Sequence, residues 1–454
     1  MNSIEKKIRI GIFFDGTGNN AQNAIKREFS SEKLSKSSSY AISQTNIYRL
    51  FKNYVQNSSD EVKAIYVEGI GTLDHFEDST ASSATGYDIW EGYSAHAKTQ
   101  KAFENLCSFL EELAIKSYKD KITLSVTLDL FGFSRGAALA RNFANYIVEK
   151  KVILERILKQ EGHVLENLEI GFMGLFDTVE SIQLSSLNLS LSNVNATGVF
   201  HITALHECRE NFPLTSIFET KEKYANDHEK GSGYHQTKKY FELRVPGAHS
   251  DIGGGYNETE NEVRTINMNA PFRQSGAISD AEQILKDNPD FKSLLYNLSY
   301  EFETKSMGYN TISRRKNVKG HLQYVYGYLM LEFAKKFDVP FTCENFKDKY
   351  LLPSDLDNFS SIMNKQVEQL LNKEKITVDL EKDLLELDSI LKKYVHISVS
   401  TRTIFGNEDT EDCAEVPAPL LKQTVKSTSS FANPTQHLMV NRPTDKWQRQ
   451  IKYS

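Results

Sequence analysis

Residues 126–146 read Val126-Thr-Leu-Asp-Leu-Phe-Gly-Phe-Ser134-Arg-Gly136-Ala-Ala-Leu-Ala-Arg-Asn-Phe-Ala-Asn-Tyr146. The first part is a strand. Ile122, Leu124, Val126, Leu128 and Leu130 alternate along it, and Phe131 and Phe133 continue the apolar run. The last part is a helix, because Ala137, Ala140, Ala144 and Ile147 recur at helical spacing with no Pro or Gly after Gly136. Between them Gly132-Phe-Ser134-Arg-Gly136 fits Gly-x-Ser-x-Gly, the nucleophile-elbow pattern. Such a turn lifts a serine hydroxyl out of the top of a sheet, and its glycines remove Cβ atoms where backbone crowds in. The helix then points its positive end at any oxyanion formed there. Three fixed positions are a weak signal alone; the strand before and the small-residue helix after supply the context the motif demands.

Working outward, Ile8–Phe14 reads as a buried strand ending in the turn-rich Asp15-Gly-Thr-Gly-Asn-Asn20. A helix is expected near 45–56, a strand at Val62–Val67, a long polar loop over 72–95 and a helix over 96–117. After the elbow, strands are expected at 168–176, Val199–Leu205 and Tyr240–Val245. Strands separated by helical patterns imply an α/β fold with a mostly parallel sheet and helices on both faces. Beyond residue 260 helical patterns dominate, at 280–297, 319–337 and 355–394. The expected organisation is therefore a catalytic core over 1–260 and a mostly helical region over 261–454, packed on that core.

With 454 residues, a net charge of −6 and no polybasic run, the chain lacks a generic nucleic-acid surface. Cys107, Cys208, Cys343 and Cys413 are scattered, which fits neither a disulfide framework nor a zinc site and suggests folding in a reducing cytoplasm. No run approaches a membrane span, and the charged start does not read as a secretory signal. No metal and no cofactor is expected.

Ser134, Asp177 and His249 appear in that order, each just after an expected strand, which is the α/β-hydrolase order of nucleophile, acid and base. A serine is a poor nucleophile until an imidazole takes its proton, and a carboxylate must hold the imidazole's tautomer. Asp177 could instead cap a turn at Thr178, and Asp251 is a rival acid only two residues beyond His249. The oxyanion donors are expected from the backbone of Arg135 and from the Gly16-Thr17 pair. Leu187, Leu189 and Leu191, interleaved with Ser and Asn, are candidates for a substrate rim or lid. The alternatives are a serine hydrolase of another ester or thioester, and a nucleotide-phosphate enzyme using Asp15-Gly16-Thr17 as a backbone nest.

Four motifs taken together, Gly11-Ile-Phe-Phe-Asp-Gly-Thr-Gly-Asn-Asn20, Gly132-Phe-Ser-Arg-Gly-Ala137, Gly174-Leu-Phe-Asp-Thr-Val179 and Val245-Pro-Gly-Ala-His-Ser-Asp-Ile-Gly-Gly-Gly-Tyr256, resemble the antibacterial lipase effectors of bacterial type VI secretion. His396-Ile-Ser-Val and Asn441-Arg-Pro resemble later features of that family. The resemblance implies an α/β-hydrolase domain with phospholipase A activity on membrane phospholipid, and places Ser134, Asp177 and His249 at the family's triad positions. It also implies a cognate immunity protein and a secretion spike or tube protein as partners. Made in the producer's cytoplasm, the protein would reach a target cell's periplasm without a cleaved signal peptide.

Overall fold

The structure is a computed structural model that describes residues 4–26, 38–55, 61–79, 82–83, 86, 91–116, 121–180, 187–209, 211–220, 231–271, 274–303, 308–342, 344–374, 380–398 and 447–453. The main elements of the first 260 residues are β1 (Ile4–Phe14), α1 (Asn46–Asn53), β2 (Val62–Val67), α2 (Ala95–Lys116), β3 (Ile122–Phe133), α3 (Arg135–Gln160), β4 (Val164–Phe176), β5 (Ala196–Ala204), β6 (Leu214–Ser216), β7 (Gly233–Tyr234), β8 (Tyr240–Val245) and α4 (His249–Gly253). Seven strands form one sheet in the order β2-β1-β3-β4-β5-β8-β7. Every neighbouring pair is parallel except β7–β8.

The alternation of β3 explains its two-sided burial. Leu124, Val126, Leu128 and Leu130 enter a cluster with Leu106 and Leu110 of α2 and Phe143 and Ile147 of α3. Phe131 and Phe133 enter the opposite cluster, with Ile47 and Leu50 of α1. Each such side chain, taken fully out of water, contributes roughly 1.5–3 kcal/mol. The register of β4 against β3 jumps by one residue at Gly171: Leu128 faces Ile170, but Asp129 faces Phe172. The jump keeps Ile170 with Leu128 in the first cluster and Phe172 with Phe131 in the second.

The second half contains β9 (Thr259–Pro271), α5 (Gln274–Asp287), β10 (Leu298–Glu303), β11 (Gly308–Lys319), α6 (Leu322–Lys335), α7 (Asp357–Leu371), α8 (Leu380–Tyr394) and β12 (Ile451–Tyr453). Beside these helices stands an element the sequence reading did not anticipate, a three-stranded antiparallel sheet, β10-β11-β9. Its pattern was hidden because it buries charges. Arg315 Nη1 of β11 meets Glu262 Oε2 of β9 at 3.1 Å, with both side chains 1% exposed. The expected boundary at residue 260 does not separate two cores, since Phe333 of α6 stacks on Phe200 of β5 at 4.0 Å. Among the described residues no helix is long and apolar enough to cross a membrane.

Candidate active site

Ser134 sits between β3 and α3 at φ 58°, ψ −127°, backbone that a residue with a Cβ rarely adopts. Both motif glycines are needed there. A Cβ on Gly132 would lie 2.4 Å from the Gly136 carbonyl oxygen, and one on Gly136 would lie 2.3 Å from that of Asp15. The elbow is therefore pressed against the loop that follows β1. Gly136→Ala is expected to cost ~1–3 kcal/mol through overpacking and to slow labelling of Ser134 by a fluorophosphonate. Thermal unfolding and labelling both equal to wild type would contradict this.

Asp177 follows β4 at φ 46°, fully buried. His249 opens α4 and is 4% exposed. Its Nδ1–H donates to Asp177 Oδ2 at 2.5 Å. The imidazole lies between Phe133, the residue before Ser134 (ring centroids 4.6 Å apart), and Phe212 (5.0 Å). Burial pushes the His249 pKa below the ordinary histidine value, against the raising pull of Asp177. Burial alone would raise the Asp177 carboxyl, but Arg449 and His249 outweigh it and hold it far below the usual carboxylate range. Among the described residues Ser134 Oγ makes no hydrogen bond to the imidazole; Ser134 is tied to the acid's strand by its N–H, which donates to the Phe176 carbonyl at 3.0 Å.

Asp251, the rival acid, faces away from His249. Its Oδ2 accepts from the Ala248 N–H and the His396 N–H, each at 2.9 Å, and its Oδ1 from His396 Nδ1 at 2.7 Å. Asp251 thus braces the turn that presents His249, and His396, stacked on Tyr256 at 3.6 Å, braces Asp251. The turn after β4 is braced similarly. The Thr178 N–H donates to His201 Nε2 at 3.0 Å, which leaves the proton on Nδ1, donated to Glu242 Oε2 at 2.8 Å.

Of the expected oxyanion donors, one is taken. The Gly16 N–H donates to Asp15 Oδ1 at 2.8 Å, so its place in the oxyanion hole is corrected. The Gly18 and Asn19 N–H groups are also occupied, by the Ile70 and Gly16 carbonyls. The Thr17 N–H is left without a partner among the described residues, and Thr17 Oγ1 is enclosed and unbonded. The N–H of Arg135 belongs to the first turn of α3, which has no carbonyl one turn back to bind. This also counts against a phosphate nest, which needs several convergent N–H groups. The Asp15 carboxylate is closed off by Tyr66, Thr45 and Gly16, with its pKa raised to about 6 by burial.

The leucines expected at a rim turn inward: Leu189 and Leu191 are 4% and 2% exposed, and Leu187 packs partly buried against the α2–α3 cluster. Arg141 Nε holds the Leu189 carbonyl at 2.9 Å, and Asn145 Nδ2 holds those of Asn188 and Ser190 at 3.0 Å each. This strap offers no apolar face from Leu189 or Leu191. Leu184 lies outside the described residues.

Sequence reasoning missed Arg449. Its Nη1 donates to Asp177 Oδ1, its Nη2 to Asp177 Oδ2 at 2.9 Å and its Nε to the Phe212 carbonyl at 2.8 Å. Trp447, two residues earlier, is buried against Phe291 at 5.6 Å. Among the described residues no group of His, Cys, Asp and Glu could hold a metal ion.

The chain is a mixed α/β protein whose candidate site lies at the carboxyl ends of the parallel strands β3, β4 and β8. It belongs to the Tle1-like phospholipase effectors of the type VI secretion system, whose catalytic-domain model matches residues 8–162 and 150–273. A solved structure described as the Tle1 effector bound to the VgrG spike from the type 6 secretion system shares the fold. It is 24% identical with a TM-score of 0.66, over 100% of this chain and 95% of that one. A crystal structure of an uncharacterized protein from Pseudomonas aeruginosa is 19% identical over 81% of this chain and 52% of its own, and its TM-score of 0.42 adds no argument. No relative among the curated proteins matches the chain.

Proposed function

We propose that the protein is a serine esterase of α/β-hydrolase type that cleaves acyl ester bonds of membrane phospholipid, a phospholipase A. The observation that carries the reading is the buried Asp177–His249 pair packed beside a backbone-strained serine, in a chain of this family. Ser134 Oγ attacks the acyl carbonyl while His249 Nε2 takes its proton. Asp177 fixes the tautomer that leaves Nε2 free and stabilises the imidazolium. The oxyanion is held by the N–H groups of Thr17 and Arg135, with the enclosed Thr17 hydroxyl as a further donor. His249 then protonates the departing lysolipid oxygen, and water hydrolyses the acyl-serine. The test is incubation of purified protein with vesicles of defined phosphatidylethanolamine and phosphatidylglycerol, assaying free fatty acid. No release above the Ser134→Ala background would overturn the reading.

The Arg135 side chain favours phospholipid over other esters or thioesters. Its guanidinium donates to the Ser83 carbonyl and has no carboxylate partner among the described residues. Burial lowers its pKa to about 10, still charged at neutral pH. A fixed cation one residue from the nucleophile suits a lipid phosphodiester. Arg135→Gln keeps the backbone N–H. It is expected to raise KM for phospholipid about tenfold, for one lost charged contact of ~1.5–3 kcal/mol less what Gln retains. KM for an uncharged short-chain ester should stay unchanged; equal changes on both substrates would remove the phosphate role.

Residues beyond the catalytic-domain match act in this reading as a buttress, through His396 on Asp251 and Arg315 on the Val395 carbonyl. Delivery on a spike protein is supported by the solved relative bound to VgrG; entry into a rival cell's periplasm and neutralisation by a cognate immunity protein complete the proposal.

A further inference from the structure

Asp177 carries more than a triad acid needs. Each of its oxygens is shared: Oδ1 accepts from the Ala204 N–H at 2.9 Å and from Arg449 Nη1, Oδ2 from His249 Nδ1 at 2.5 Å and from Arg449 Nη2 at 2.9 Å. Both members of the ion pair are almost wholly out of water, with side chains 1% and 0% exposed. Such a pair is not a cheap way to gain stability, because desolvating two charges offsets most of their attraction. It does fix geometry, since a guanidinium fork is planar and grips both carboxylate oxygens at once.

The fork is itself delivered by built structure. Arg449 lies two residues before β12, which pairs in parallel with β6 through Ile451–Leu214, Lys452–Thr215 and Tyr453–Ser216. The Leu214 N–H donates to the Gln450 carbonyl at 2.9 Å, and the Thr215 N–H donates to the Thr178 carbonyl at 2.9 Å. β6 therefore joins the Arg449 segment on one side to the Asp177 turn on the other. Trp447 on Phe291 anchors the approach.

We infer that the 447–453 segment is part of the catalytic centre, and that Arg449 is a positioning residue that clamps the Asp177 carboxylate in line with His249 Nδ1. The inference rests on the triad reading above. It carries an electrostatic consequence. The charged groups facing His249 are Asp177, the Glu207–Arg209 pair (2.8 Å) and, behind Asp177, Arg449. Glu207 is held to about 2 against the raising effect of burial, chiefly by Arg209, so that pair is nearly neutral as a unit. Arg449 likewise neutralises Asp177. With Asp177 shared in this way, burial prevails over the raising pull of the carboxylate and keeps the proton affinity of His249 below the ordinary value, ready as a base at neutral pH. Without the guanidinium, the full carboxylate charge would favour the imidazolium, and its pKa would rise.

The test is direct titration of the His249 ring in full-length protein by nitrogen-15 NMR, together with the pH dependence of fluorophosphonate labelling at Ser134, in wild type, Arg449→Gln and Arg449→Lys. Arg449→Gln is expected to raise the His249 pKa by about one unit or more and to move the acid limb of labelling with it. Arg449→Lys keeps the charge but grips one oxygen, so the pKa stays near wild type while labelling slows roughly tenfold, the ~1.4 kcal/mol equivalent of one weakened charged contact. A purely structural role would lower the melting temperature and leave both titrations in place. A folded Arg449→Gln whose His249 titrates as in wild type would overturn the inference. If that variant does not fold, Arg449→Lys with wild-type labelling does so. Wild type that titrates at His249 but never labels at Ser134 would refute the esterase reading and leave the electrostatic result standing.

Discussion

Replacing Ser134 by Ala is expected to lower phospholipid turnover by ~10⁴-fold or more, with no loss of folded structure. Ser134 contributes to the fold through its backbone. Its N–H donates to Phe176, and its carbonyl accepts from Ala137 and Ala138 at 3.0 and 3.3 Å. Alanine keeps those bonds and has the same Cβ, so the strain at φ 58° is neither relieved nor increased. What is lost is the nucleophile alone. Fatty-acid release, melting temperature and fluorophosphonate labelling separate the outcomes. A folded Ser134→Ala protein that still releases fatty acid at the wild-type rate would place the chemistry elsewhere.

Asp177→Asn is expected to cost about as much in turnover, ~10⁴-fold, by favouring the wrong imidazole tautomer, and it should also destabilise the protein. An Asn oxygen in the place of Oδ2 can still accept from His249 and Arg449 Nη2, but the NH2 group then opposes Arg449 Nη1 and the Ala204 N–H; the flipped amide opposes His249 Nδ1 and Arg449 Nη2 instead. It also leaves the Arg449 charge buried without a counterion, a situation that costs ~3–5 kcal/mol. Asp251→Asn provides the contrast. It loosens His396 and Ala248, so its effect should fall mainly on stability, with a smaller loss of turnover. Circular dichroism, melting and turnover of both variants decide the matter. A folded Asp177→Asn enzyme with near-normal activity would remove Asp177 from the triad, whereas a larger kinetic loss from Asp251→Asn would exchange the two assignments.

The elbow was legible because its signals are local. The alternation of Leu124 to Leu130, the helical spacing of Ala137 to Ala144 and the two glycines each act over one strand or one turn. His249 and Asp177 were legible from chain order and from lying just past strands. What escaped was non-local. Arg449 meets Asp177 across 272 residues, with nothing at either end to announce the other. β9 and β11 escaped because Glu262, Arg264 and Arg315 pair with each other and with backbone carbonyls, so polar letters occupy buried positions. Leu187 to Leu191 misled because apolar alternation specifies a buried face without saying whether core or substrate covers it. Gly16 misled because a free N–H in sequence became the partner of its own neighbour's carboxylate.

The register jump at Gly171 bears on which length changes the protein can tolerate. Side chains alternate by two along a strand, so losing one residue from β4 beyond the jump, such as Met173, would exchange the faces of everything after it. Phe176 would leave the aromatic cluster under α6, and Asp177 would emerge on the side away from His249. A glycine suits the position because a Cβ there would lie 2.6 Å from Thr127 Cγ2 and 3.0 Å from Asp129 Oδ1, beside the buried Arg9–Asp129 pair. Losing Gly171 itself would instead set Ile170 beside Phe172 in regular alternation and keep both faces, so its deletion should be tolerated far better than that of Met173, four residues before the acid it would misdirect.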